Sequence, residues 1–249
     1  METHARLSKS LQTTFLVFGC ILTFSTFKAS TEEFVEGTDY RVVETEIQEE
    51  LAKTDNDTET DTETGTDETI KVVEFFNYGC PHCYKLEPFI KKWLEEKGDD
   101  VEFVRVAVPI QRAWIPLARA YYIAEKFDVV DGVHDIMFKA IFENNLQMQR
   151  TDLLEQLFAA RGVEEEDFQK AFTSDEVNDK VRESGAHMRL FGLQGTPSIV
   201  VDNQYVVDAQ PTDELDRTFE IVKFLVEKIR NEKDEASSST TSVDHTTNQ

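Results

Sequence analysis

The chain has 249 residues and a net charge of −23, from 49 acidic residues against 26 basic ones. That balance excludes a nucleic-acid or anionic-membrane surface as partner, and the length suits one domain of ordinary size or two small ones. The acid is unevenly spread: residues 31–69 hold 15 acids against Arg41 and Lys53, so the body that follows is only moderately acidic.

At the N-terminus, Arg6 and Lys9 precede an apolar run from about Leu11 to Phe27, and small then acidic residues follow it. Residues 1–30 therefore read as an export segment. Three forms of it stay open: a cleavable signal, an uncleaved anchor through residues 11–27, and a lipidated N-terminus at Cys20 within "LVFGC". Each delivers residues 31–249 to the far side of a membrane. The exported part then keeps Cys80 and Cys83, in a compartment where disulfides form. Two cysteines so close in sequence close a tiny loop that adds little to stability. A disulfide there is expected to react rather than to staple.

The stretch "FVEGTDYRVVE" (34–44) alternates like a short strand leaving a turn. "KTDNDTETDTETGTDET" (53–69) has no aromatic residue and reads as a disordered acidic insertion, a solubilising spacer. "TIKVVEFFNYG" (69–79) is a β-branched and aromatic run, as in a strand buried on both faces. Pro81 suits the first turn of a helix, with Cys80 immediately before it. That helix places Leu86, Ile90, Trp93 and Leu94 on one face. Pro88 predicts a kink and Gly98 the end. "VEFVRVAV" (101–108) is a second core strand, parallel to the first through a right-handed crossover.

From about 110 to 192 the spacing is helical, with Thr151 as a cap, Gly162 as a stop, and Thr173 with Glu176 as a capping box. "GTPSIVVDNQYVVD" (195–208) reads as a β-hairpin. The closing helix carries Leu215, Phe219, Val222, Leu225 and Ile229 along one face, and residues 231–249 read as a disordered tail. The order predicts an α/β fold, one mixed sheet flanked by helices and interrupted by an all-helical block.

The chemistry centres on "CPHC" (80–83). A helix N-terminus gathers unsatisfied N–H groups and the positive end of the dipole, which favours thiolate on Cys80. His82 adds positive charge or a hydrogen bond to the same sulfur. A stabilised thiolate stabilises the reduced state and makes the disulfide an oxidant, so Pro81–His82 points to making disulfides in other proteins. Zinc needs about four ligands, which Cys80, His82 and Cys83 cannot supply from one helix turn. His134 and His187 lack the spacing to complete a site and read as surface or core helix residues. Trp93 and Trp114 read as packing residues. No metal and no bound cofactor are expected.

The segments "VVEFFNYGCPHCYKLEP" (72–88), "GTPSIVVDNQY" (195–205) and "FVEGTDY" (34–40) resemble the DsbA-type thiol–disulfide oxidoreductases of the bacterial periplasm, over residues 34 to about 230. An acidic catalytic cysteine is a general feature of that family, so this agreement belongs to the resemblance and is not independent. The resemblance implies a thioredoxin fold with an inserted all-helical subdomain. It implies Cys80 as the attacked and leaving sulfur and Cys83 as its buried partner. Pro197 resembles the family's cis-proline opposite the disulfide, with Thr196 presenting backbone to a substrate strand. Glu74 matches a buried acid assisting proton transfer at Cys83, beside the plainer reading of a glutamate at the sheet's end. The implied partners are unfolded or reduced secreted polypeptides and a quinone-linked membrane reoxidase of the DsbB type, with no nucleic acid.

One departure from the family is the acidic insertion between the first two strands. Loop closure grows only logarithmically with length, so it is expected to be dispensable. Two other activities stay open: a reductase or isomerase of the same fold, and a non-catalytic thioredoxin-fold binding module.

Overall fold

The structure is a computed structural model that describes residues 34–48, 69–208, 210 and 214–241. Residues 1–30, with Cys20 and the expected export segment, and the acidic stretch 53–68 lie outside the described residues. Among the described residues, no helix is long and apolar enough to cross a membrane.

The elements are β1 (Arg41–Val42), β2 (Ile70–Phe76), α1 (Pro81–Glu96), β3 (Val101–Ala107), α2 (Ile115–Lys126), α3 (Val130–Phe142) and α4 (Thr151–Ala159). They continue as α5 (Glu165–Thr173), α6 (Asp175–Leu190), β4 (Ser198–Val201), β5 (Tyr205–Asp208) and α7 (Leu215–Thr241). The five strands make one mixed sheet in the order β1-β5-β4-β2-β3. The β2–β3 pair is parallel, and the remaining pairs are antiparallel. This is the expected α/β arrangement, with α2 to α6 inserted between β3 and β4.

Strand periodicity decides what faces what. Ile70, Val72, Glu74 and Phe76 alternate with Lys71, Val73 and Phe75, so Glu74 shares a face with apolar neighbours. Ile70 and Val72 pack against Leu86, Ile90 and Trp93 of α1 and Phe219, Val222 and Leu225 of α7. On the opposite face, Phe75, Val200 and Val206 pack with Val108, Phe191 and Leu193. Phe76, Tyr78, Cys80 and Cys83 join a third cluster with Leu117, Ile123, Met137, Phe138, Phe158 and Phe168 of the helical insert. The cysteine motif thus lies where the sheet and the insert share one core.

Several helix boundaries differ from the expected ones. Helix α1 ends at Glu96, with Lys97 as an extended C-cap. Gly98 is not the left-handed stop; a Cβ there would meet Asp100 and Arg230, so it serves their close approach. Arg150, not Thr151, is the N-cap of α4. Thr173 ends α5, its hydroxyl donating to Gln169 O, and Ser174 caps α6 by accepting from Val177 N at 3.3 Å. The closing helix runs on to Thr241 instead of yielding to a tail at 231. Lys228 pairs with Glu232 one turn on, and Lys233 reaches Asp202, which holds the extra turns to the domain.

Candidate active site

The turn before the motif is built by a buried side chain. Asn77 donates from Nδ2 to Val108 O at 2.7 Å, and its Oδ1 accepts from Gly79 N at 2.8 Å. Its carbonyl accepts from Cys80 N at 2.9 Å. This fixes the path from β2 into α1. Gly79 meets the ring of Trp114, which approaches to 2.6 Å of where a Cβ would lie. The insert therefore presses directly on the residue before Cys80.

Cys80 is the N-cap of α1, with φ −89° and ψ 116°, and Pro81 opens the helix. The Cys80 sulfur accepts from Cys83 N at 3.3 Å, the place a serine or aspartate oxygen takes in an ordinary N-cap. The Cys80 thiol donates to Thr196 O at 3.2 Å. The Thr196–Pro197 bond is cis. These contacts bring Thr196 and Pro197, far along the chain, to the cysteine. Both cysteines are free thiols.

The two sulfurs are driven apart electrostatically. The Cys83 thiol, the side chain of Thr196 and the backbone amides of Cys83 and His82 hold the Cys80 thiol down at about 6, against the opposing effect of burial. Burial pushes Cys83 well up, aided by its hydrogen bond to Cys80 and by the charges of Cys80 and Glu74. One sulfur is a thiolate at neutral pH and its partner a buried thiol. His82 is exposed on the first turn of α1, and its backbone amide contributes to holding Cys80 down.

Beneath the cysteines lies a chain of polar groups that the sequence did not reveal. Glu74 and Arg105 are register partners across the parallel β2–β3 pair. Arg105 Nε donates to Glu74 Oε2 at 3.1 Å, and its Nη2 donates to Glu87 of α1 at 3.2 Å. Glu87 Oε1 lies 2.9 Å from His134 Nε2 of α3, and His134 Nδ1 lies 3.1 Å from the Tyr78 hydroxyl. Glu74, Glu87, His134 and Tyr78 are all buried. Glu74 Oε1 has no hydrogen-bond partner among the described residues. Burial raises Glu74 to about 8 against the pull of Arg105, and the Glu87 charge raises it further. Glu74 is thus a neutral acid at pH 7, within electrostatic reach of both cysteines.

The signal for Glu87 was present in its spacing. It follows Cys83 by one helical turn and so shares the inward face of α1. His134, read as a surface or core helix residue, is a core one, and it is hydrogen-bonded at both ring nitrogens.

Comparison with known proteins agrees with this geometry. The family described as "DSBA-like thioredoxin domain" matches residues 115–220. The chain is 28% identical to the thiol:disulfide interchange protein DsbA of Burkholderia cepacia over 164 residues, which is 66% of this chain and 77% of that protein. It is 29% identical to the protein of the same name from Pseudomonas aeruginosa over 161 residues, 65% of this chain and 76% of the relative. The crystal structure of oxidoreductase DsbA from Xylella fastidiosa superposes with a TM-score of 0.65 at 28% identity, covering 80% of this chain and 98% of that one. That of Pseudomonas aeruginosa DsbA gives 0.65 at 24% identity, over 81% and 97%. In its thioredoxin fold, its inserted helices and its paired cysteines, the chain is similar to the DsbA-like thiol–disulfide oxidoreductases that these comparisons name.

Proposed function

We propose that the protein is an exported dithiol oxidase that donates its Cys80–Cys83 disulfide to reduced cysteines of folding secreted polypeptides. The observation that carries this reading is the Cys80 sulfur at the helix N-cap, held as a thiolate beside a partner kept as a thiol. A dithiol whose leaving sulfur is a stabilised anion gives up its disulfide form readily.

A substrate thiolate attacks Cys80 Sγ, the Cys80–Cys83 bond breaks, and Cys83 leaves. Cys83 takes up a proton, for which Glu74 is the buried acid to hand. A second substrate thiolate then attacks the substrate sulfur of the mixed disulfide, and Cys80 departs as the thiolate its surroundings favour. Two electrons have passed from the substrate dithiol to the enzyme, which needs no bound cofactor. Thr196 and Pro197 stand beside Cys80, where Thr196 would offer its backbone to an extended substrate strand. Reoxidation falls to a quinone-linked membrane partner of the DsbB type. The place of work is the bacterial periplasm, reached through residues 1–30.

The test is the turnover of Cys80→Ser with a reduced dithiol peptide. The variant is expected to lose peptide oxidation entirely. Retained oxidation would refute the assignment.

A further inference from the structure

Arg105 is a single cation placed between two buried carboxylates, and the arrangement around it is lopsided. Its Nη2 takes both oxygens of Glu87, at 3.4 and 3.2 Å, whereas Glu74 receives only Nε, at 3.1 Å. Glu87 has a second donor in His134 Nε2 at 2.9 Å, while Glu74 Oε1 has no partner among the described residues. Glu74 thus has the weaker hold on the shared guanidinium, and burial favours its neutral form.

The histidine decides which acid carries a proton. Tyr78 packs against His134 and offers its hydroxyl to Nδ1 at 3.1 Å, and Phe76 and Phe138 flank the ring. In the tautomer whose Nδ1 accepts from the Tyr78 hydroxyl, Nε2 carries the hydrogen and donates to Glu87. Other titratable groups face this cluster: Asp135, next to His134 on α3, pairs with Lys91 of α1, and Tyr121 and Glu125 of α2 face Tyr78, with Tyr121 also facing Arg105. Cys80 and Cys83 face Glu74 from α1.

We propose that His134 is a positioning residue for proton transfer at Cys83: by donating to Glu87 it commits that carboxylate to His134 and Arg105 and leaves Glu74 as the acid that carries the proton. The helical insert thereby reaches through Glu87 and Arg105 to set the protonation of the acid beneath the reactive thiols. When Cys83 leaves as a thiolate, the proton passes from the Glu74 carboxyl to its sulfur and Glu74 becomes the carboxylate. No electron moves in this step. The inference deepens the disulfide-exchange reading above and rests on it.

Difference infrared spectroscopy of the reduced protein against pH tests the proposal, through the carbonyl band of a protonated buried carboxyl. In the wild-type chain the band is expected to titrate near pH 8 and to vanish in Glu74→Gln. In His134→Phe, which suits the aromatic surroundings, the Glu74 midpoint is expected to fall by about one to two pH units. Oxidation of a dithiol peptide at pH 7 should slow by about twofold to tenfold, following the lost protonated fraction. His134→Gln, which keeps a donor, should restore both.

A Glu74 midpoint unmoved in His134→Phe would overturn the proposal. If that variant does not fold, His134→Met removes the donor while keeping an apolar side chain; a lowered midpoint supports the proposal and an unchanged one refutes it. A wild-type chain unable to oxidise the peptide would refute the disulfide-exchange reading, while the infrared midpoint judges His134 on its own.

Discussion

The backbone amide of Cys83 donates to the sulfur of Cys80 at 3.3 Å, so the second cysteine of the motif helps to hold the charge on the first. The helix that begins at Pro81 aims its free N–H groups at that sulfur. Alkylation of the reduced protein should therefore be half-maximal near pH 6, at Cys80 alone. Cys83, pushed up by burial, should stay unmodified at neutral pH. The sign for stability follows. A thiol lowered from 9.0 to about 6 stabilises the folded reduced protein fully above pH 9, and this contribution is lost as pH falls through 6. Equal labelling of both cysteines at pH 7 would contradict the assignment.

Thr196 acts on Cys80 in two senses. Its carbonyl accepts the thiol proton at 3.2 Å, whereas its side chain favours the thiolate. Thr196→Val keeps the shape and the carbonyl but removes the hydroxyl. The Cys80 titration, followed by thiolate absorbance, should move upward, and the disulfide should become less oxidising. A midpoint unchanged in the variant would show that the hydroxyl contributes nothing.

Glu74 should make the folded protein sensitive to alkali. Its folded-state pKa is raised from 4.5 to about 8, so the stability it carries is present below 4.5 and lost as pH rises through 8. Glu74→Gln removes the ionisation while keeping a polar partner for Arg105. The variant's thermal midpoint should exceed the wild type's above pH 8, and its turnover should be slower. A lower midpoint at that pH would mean that the Arg105 ion pair outweighs the burial of charge.

Gly79 is needed for close approach rather than for its backbone freedom. A Cβ would lie 2.6 Å from the Trp114 ring, well inside contact distance. Gly79→Ala should cost about 1–3 kcal/mol in chemical denaturation by forcing the indole aside. It should also change Trp114 fluorescence. An unchanged denaturation midpoint would show that the ring has room to move.

Much of this was legible from local pattern. Pro81 after Cys80 marked the helix start, because proline is most favoured in the first turn, and that placed Cys80 at the cap. The β-branched and aromatic run of β2 and the Asp202–Asn203 turn gave strands and hairpin, since both depend on neighbouring residues. Thr196 and Pro197 entered through resemblance, because no local rule brings them to Cys80. Glu87, Arg105, His134 and Tyr78 were not legible as a group. Each reads as an unremarkable member of its own element, and only the register of β2 with β3 and the packing of α3 on α1 joins them. Helix ends failed where capping choices were close, as between Thr173 and Ser174. In the extension of α7, Lys233 meets Asp202, a contact between distant parts of the chain that no local rule foretells.

The central claim is that the Cys80 thiolate is stabilised enough to make the disulfide an oxidant. The reduction potential of Cys80–Cys83, from equilibration of residues 31–249 in glutathione buffers, tests it most directly. The account predicts a value well above that of thioredoxin, about −270 mV. A value at or below thioredoxin's would contradict it and would make the protein a reductase.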